Sequence, residues 1–219
     1  MKRLLKDGGY FLALYALFFV ALLAVIIAYQ KKDLHLFLTS VNNIYSDVFF
    51  NYATRIGGGL SYFVAVALLF YKIRSGLYVL VVQLVTLLLT NSLKLIFGTP
   101  RPKAFFEENF PDVILHQVDG IRLYLSNGFP SGHTSSAFAL MFCLALIFRN
   151  KWLSVFCFLI ALLVGYSRIY LSQHFAEDVL FGSFIGVVVA ALFYHLYLRM
   201  SAKYKWANEP LVHFSQKRN

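Results

Sequence analysis

Residues 167–178 read Ser-Arg-Ile-Tyr-Leu-Ser-Gln-His-Phe-Ala-Glu-Asp, an ionisable stretch between two strongly apolar ones. His174 and Asp178 are four apart, so on a helix they share one face and can touch. A carboxylate behind an imidazole fixes its tautomer and steadies its cation, leaving the other nitrogen free as nucleophile or base. Arg168 does not share that face on a continuous helix, but a tight turn between it and His174 brings it back. Alone, the trio also has an ordinary reading, as an Arg168–Asp178 interfacial ion pair with a histidine nearby.

Two further clusters carry compatible chemistry. Pro130-Ser131-Gly132-His133 stands just before an apolar run. Ser131 is placed to cap a helix, which leaves first-turn amides pointing outward. Such a helix start, with a glycine that admits an oxyanion, suits a phosphate. Lys94 and Arg101 flank Leu-Ile-Phe-Gly-Thr-Pro, a second helix end. Each cluster by itself has an ordinary reading: a cap with an incidental histidine, a snorkelling lysine, a headgroup-anchoring arginine.

The elements that must position these groups are membrane helices. The chain has 219 residues, 59% hydrophobic and 14% charged, with 23 Phe, and a mean hydropathy of +0.67. A spanning helix needs roughly 20 apolar residues, and the pattern predicts an all-α bundle of six transmembrane helices. They fall at about 10–29, 57–72, 75–96, 131–149, 152–168 and 176–198, within one domain over 1–219. Residues 33–50 repeat apolar positions at helical spacing yet are too polar to span. They read as one amphipathic interfacial helix after the first span, with His35 a solvated residue on it. Gly98, Pro100 and Pro102 end the third span, and 97–130 forms a long polar outer loop.

The net charge of +10 orients the protein and gives no support for nucleic-acid binding. With both termini cytoplasmic, 12 of the 20 basic residues and only Asp7 and Glu209 among the acids lie inside. All three ionisable clusters then fall on the outer face. Cys143 and Cys157 lie in spans without metal-ligand spacing and read as packing residues.

Ionisable residues at membrane depth are functional candidates by default. Three cations and oriented amides suit a multiply charged anion, and two histidines supply attack and leaving-group protonation. Carboxylate clusters of the kind that hold Mg²⁺ are missing, so the design is for phosphomonoester hydrolysis with no metal and no cofactor.

In order, Lys94 with Arg101-Pro102, then Pro130-Ser131-Gly132-His133, then Ser167-Arg168 with His174 and Asp178 resemble the full signature of the type-2 phosphatidic acid phosphatase superfamily. The resemblance implies that His174 forms a phosphohistidine, that Asp178 orients it, and that His133 is the general acid. It assigns Lys94, Arg101, Ser131, the Gly132 amide and Arg168 to the phosphate oxygens. The implied enzyme sits in a bacterial inner membrane with its site facing the periplasm and takes a lipid phosphate from the bilayer. Lipid A phosphate and undecaprenyl pyrophosphate are the expected substrates; phosphatidylglycerol phosphate, phosphatidic acid and phosphotransfer to another lipid are the alternatives. A transporter or scramblase would place its charges near the bilayer midplane, whereas these sit at helix ends. The oligomeric state is left open.

Overall fold

A computed structural model describes residues 2–212; His213, Lys217 and Arg218, read as tail residues, lie outside the described residues. The described elements are helical: α1 (Lys2–Ala28), α2 (Lys31–Leu38), α3 (Ile44–Ala53), α4 (Leu60–Tyr71), α5 (Ile73–Phe97), α6 (Pro102–Asn109), α7 (Gly132–Phe148), α8 (Lys151–Tyr170) and α9 (Ala176–Lys203), with 3₁₀ turns at Thr54–Gly57 and Lys205–Asn208.

Four segments are long and apolar enough to cross a membrane: α1, the stretch Ile73–Asn109 containing α5, α8 and α9. A fifth crossing results if the pair Ile44–Gly57 and Leu60–Tyr71, bent by 51°, counts as one span, and α7 is apolar but shorter. Large apolar side chains such as Leu17, Phe63, Leu88 and Leu192 stay exposed around the bundle. On a soluble protein such a surface would drive association, whereas against acyl chains it is matched. The protein is an integral membrane protein.

The enclosed helix is α7, packed by α8, α9, α5 and α1. Phe138, Phe142, Cys143 and Leu146 on it have no more than trace exposure, and Cys143 and Cys157 are free buried thiols. Phe142 stacks on Phe11 of α1 at 4.9 Å between ring centroids. Because lipid offers no hydrophobic drive between helices, close packing of this kind is what holds them together.

Local chemistry sets the helix ends. Gly98 stops α5 in a left-handed conformation at φ 53°, which costs glycine little. The Asn150 side chain accepts from the amides of Trp152 and Leu153 at the start of α8. Pro102 opens α6 at its first turn, so part of the outer loop is helical.

The interfacial segment differs from the single helix expected over 33–50. It is two helices, α2 and α3, broken at 39–43 by side chains that compete for the backbone. Thr39 Oγ1 donates to the His35 carbonyl at 2.9 Å and Ser40 Oγ to that of Phe37 at 2.8 Å. The Asn43 side chain then caps α3 through the amides of Tyr45 and Ser46. The expectation for His35 is corrected as well. It is 2% exposed, because α2 turns its Leu34–His35 face against the bundle.

Candidate active site

The link Leu171–Phe175 joins α8 to α9 in five residues and makes them an antiparallel hairpin. Its turn folds back on Arg168, whose carbonyl accepts from the amides of Gln173 at 3.0 Å and His174 at 3.1 Å. That return brings Arg168, in the last turn of α8, beside His174. The hairpin expected from sequence supplies the geometry a straight helix could not.

His174 is 2% exposed, and its Nδ1 lies 3.4 Å from Asp178 Oδ2. The same carboxylate oxygen accepts the Phe175 amide at 3.0 Å, so Asp178 caps the start of α9 while facing the imidazole. With Nδ1 toward Asp178, Nε2 is the nitrogen left for the cavity. Burial, reinforced by Arg168, Arg101 and Lys94, holds the His174 imidazole well below the usual histidine range.

The helix starts of α7 and α9 are joined directly. The Ser131 amide donates to the Asp178 carbonyl at 2.9 Å. This approach needs Gly182, where a Cβ would stand 2.6 Å from the Ser131 carbonyl oxygen. Gly57, in the 3₁₀ turn before α4, allows an equally close approach to the His133 carbonyl, again 2.6 Å from a built Cβ.

Six of the eight residues singled out from sequence converge on one cavity of about 310 Å³: Lys94, Arg101, Gly132, His133, Arg168 and His174. The other two stand behind its wall. Asp178 backs His174, and Ser131 is fully buried, with its Oγ 2.8 Å from Thr134 Oγ1 and accepting the Thr134 amide. Ser131 therefore caps α7 as expected, but its hydroxyl is taken up by Thr134 instead of facing the cavity. The floor continues between α4, α5 and α7, where Ser136 Oγ donates to Gln83 Oε1 at 2.8 Å.

The three cations are held by acceptors that carry no charge. Lys94 Nζ donates to the Asn127 carbonyl at 2.8 Å. Arg101 donates through Nε to the Ser126 carbonyl at 2.9 Å and through Nη1 to both the carbonyl and Oε1 of Gln173 at 3.1 and 3.2 Å. Arg168 Nη1 donates to Thr54 Oγ1 at 2.7 Å and Nη2 to Gln173 Oε1 at 3.4 Å, while its buried Nε has no hydrogen-bond partner among the described residues. Like charges this close are costly in a partly buried site, and a polyanion would offset the repulsion.

Sequence reasoning missed Gln173 and His35. Gln173 is 3% exposed and bridges both arginines, with its Nε2 donating to the Arg122 carbonyl at 3.0 Å. Its place inside the Arg168–His174 interval was the available signal. His35 Nε2 lies 3.3 Å from Ser172 Oγ, and its ring packs on Phe175 and Phe106 at 5.1 and 5.7 Å. Burial, with Lys31 adding, pushes it down to about 4. Lys31, also on α2, pairs with Glu177 at 2.5 Å. His116 likewise has a partner: its Nε2 lies 2.8 Å from Asp47 Oδ1.

Helical membrane architecture, a cationic cavity and paired histidines together define a class, and the comparisons supply its family. The chain belongs to the PAP2 superfamily, whose profile matches residues 75–201. It is 32% identical over 146 residues to the lipid A 4'-phosphatase of Porphyromonas gingivalis, covering 65% of this chain and 61% of that protein. This chain thus spans less than two thirds of that relative's length. Among solved structures, Aquifex aeolicus LpxE superposes with a TM-score of 0.64 at 26% identity, over 75% of this chain and 94% of that one. The phosphatidylglycerolphosphate phosphatase of Bacillus subtilis superposes with a TM-score of 0.63 over 90% of this chain and 98% of its own, and at 23% identity the likeness is one of fold.

Proposed function

We propose that this protein hydrolyses a lipid phosphate at the outer leaflet of a bacterial inner membrane through a phosphohistidine, without metal. One observation carries the reading: the cavity that gathers Lys94, Arg101, Gly132, His133 and Arg168 around a His174 backed by Asp178. Membership of the superfamily supports it, and the lipid A 4'-phosphatase relative favours lipid A phosphate, with undecaprenyl pyrophosphate the other candidate.

In this mechanism His174 Nε2 attacks phosphorus as the bond to the lipid oxygen breaks, and His133 protonates the departing oxygen. Asp178 steadies the imidazolium formed on attack. A water then attacks the phosphohistidine, giving its proton to His133 as the P–N bond breaks and inorganic phosphate leaves. Lys94, Arg101, Arg168 and the Gly132 amide bind the phosphate oxygens and the charge that develops on them. Ser131 holds the cradle from behind, and its hydroxyl reaches a phosphate only by turning away from Thr134.

The topology proposed is a single domain over 1–219 with six crossings, counting the bent pair ending at Tyr71 and the shorter α7 as spans. Both termini are then cytoplasmic and the site periplasmic, in line with the distribution of basic residues.

The test is phosphate release from the purified protein in detergent with EDTA present. Wild type and His174→Ala are compared on lipid A, undecaprenyl pyrophosphate, phosphatidylglycerol phosphate and phosphatidic acid. EDTA-resistant release that vanishes in the variant is expected, with lipid A or undecaprenyl pyrophosphate preferred. Release that survives His174→Ala sinks the assigned nucleophile, and release abolished by EDTA sinks the metal-free step.

A further inference from the structure

A second cationic cavity lies at the far end of the bundle. The helix α7 begins at the catalytic cavity and its 17 residues end at Phe148, which places Arg149 roughly 25 Å away along the helix axis. There Arg3, Arg74 and Arg149 line a cavity of about 440 Å³ with Leu198, Ser201 and Ala202. It shares no lining residue with the cavity around His174.

Basic residues at a membrane face are ordinary, and their number alone assigns nothing. What distinguishes this cavity is how its arginines are held. Arg149 adopts a left-handed backbone at φ 54°. Its Nε lies 3.5 Å from Asp7 Oδ2, the oxygen that also receives Tyr194 Oη at 2.6 Å and Arg3 Nε at 3.1 Å. Asp7 is 8% exposed, so one buried carboxylate anchors two guanidinium groups and neutralises only one of their charges. Arg74 has no carboxylate partner among the described residues. Its guanidinium sits 4.7 Å over the Tyr197 ring, and its buried Nε makes no hydrogen bond among the described residues.

Three guanidinium groups against one carboxylate leave about two positive charges facing a preformed hollow. Planar forks of this kind match a phosphate oxyanion better than any neutral ligand. Leu198 and Ala202 add an apolar flank that suits a group attached to a lipid. Basic pockets between membrane helices hold acidic headgroups for these reasons. We propose that this cavity is a phosphate-binding site, separate from the catalytic one, that takes the headgroup of an acidic phospholipid. In the topology proposed above, that phospholipid belongs to the inner leaflet.

The experiment measures binding of fluorescent phosphatidylglycerol to the purified, delipidated full chain by anisotropy, with phosphatidylcholine as the neutral comparison. Phosphatidylglycerol is a diester and so is not a phosphomonoester substrate. Wild type, Arg74→Gln and Arg74→Lys are each measured in two backgrounds, unaltered and carrying Arg101→Gln, which weakens anion binding at the catalytic cavity. Loss of one charge-assisted contact corresponds to about tenfold in affinity. We expect Arg74→Gln to lose about that much for phosphatidylglycerol in both backgrounds, with Arg74→Lys intermediate and phosphatidylcholine unaffected. Equal affinity of wild type and Arg74→Gln overturns the proposal, as does a loss seen only when Arg101 is intact. Competition by millimolar inorganic phosphate in the Arg101→Gln background would assign the site to the free anion, overturning the lipid source. Failure to compete assigns it to the headgroup. Phosphate release from the lipid substrate, measured in parallel, is expected to be unchanged in Arg74→Gln, so failure here is separable from failure of the catalytic reading.

Discussion

The Ser131 amide donates to the Asp178 carbonyl at 2.9 Å, tying the residue that caps α7 to the residue that backs His174 on α9. The two halves of the site are therefore one backbone unit, and their spacing depends on how closely α9 approaches Ser131. Gly182 sets that approach, since a Cβ there would meet the Ser131 carbonyl at 2.6 Å. Gly182→Ala should cost about 1–3 kcal/mol of stability and, by shifting His174 relative to His133, at least about tenfold in kcat. Thermal unfolding in detergent and phosphate release check the two effects. Unchanged kcat in a folded variant would uncouple the helix starts from catalysis.

Asp178→Asn keeps the side-chain shape but removes the charge that, in the proposed mechanism, steadies the His174 imidazolium. Because an amide also disturbs the imidazole tautomer, kcat should fall by about 10²–10⁴. Little change is expected in KM, since the cations that hold phosphate remain. Steady-state kinetics on the preferred lipid, with acid-labile phosphohistidine trapped from a labelled substrate, separates loss of attack from loss of binding.

Gln173→Leu removes the acceptor shared by Arg101 and Arg168 while leaving both charges. Two guanidinium groups then lose their spacing, and the phosphate must organise them on arrival. KM should rise by about tenfold, with a smaller change in kcat. A fall in kcat at constant KM would mean that Gln173 acts on the transition state alone.

His174 and His35 both carry pKa values below the ordinary 6.5, His35 reaching about 4. Between pH 6.5 and 4 the unfolded chain binds a proton at His35 that the folded chain does not. Stability is therefore full above about pH 6.5 and falls as the medium is acidified toward 4, with a slope of about 1.4 kcal/mol per pH unit for one proton. Unfolding midpoints of wild type and His35→Phe from pH 7.5 to 4 test this; the variant should have a shallower slope. For catalysis the sign is also set by the depressed value. His174 stays unprotonated as the pH falls, so the acid limb of kcat/KM should lie below pH 6.5.

Much of the site was legible because its members differ chemically from everything around them. Lys94, Arg101, His133, Arg168 and His174 are ionisable residues at the ends of apolar runs, and in a bilayer few structural roles would keep them there. Ser131 was legible as a cap but not as a hydroxyl already engaged, since Thr134 is an unremarkable residue in sequence. Gln173 carries no charge, and its bridging of two arginines follows from a turn whose shape depends on the Arg168 carbonyl. His35 was misread because periodicity gives the apolar face of a helix without saying what packs on it. Four small polar side chains at 39–43 broke the expected interfacial helix, and the shorter α2 could then turn inward. Helix lengths were less decisive: the 12-residue α4 reaches span length only with the segment bent 51° before it, and the 17-residue α7 is short of the usual span.

The family profile begins at residue 75, yet segments before it grip the turn that carries His174. Thr54 holds Arg168, His35 meets Ser172, and Lys31 pairs with Glu177. A chimera that exchanged residues 2–71 between relatives would thus carry a new set of fingers on an unchanged His174 turn. The amino-terminal third, besides carrying a helix long and apolar enough to cross a membrane, is a tuning handle, and directed libraries confined to it should alter the site without touching one signature residue.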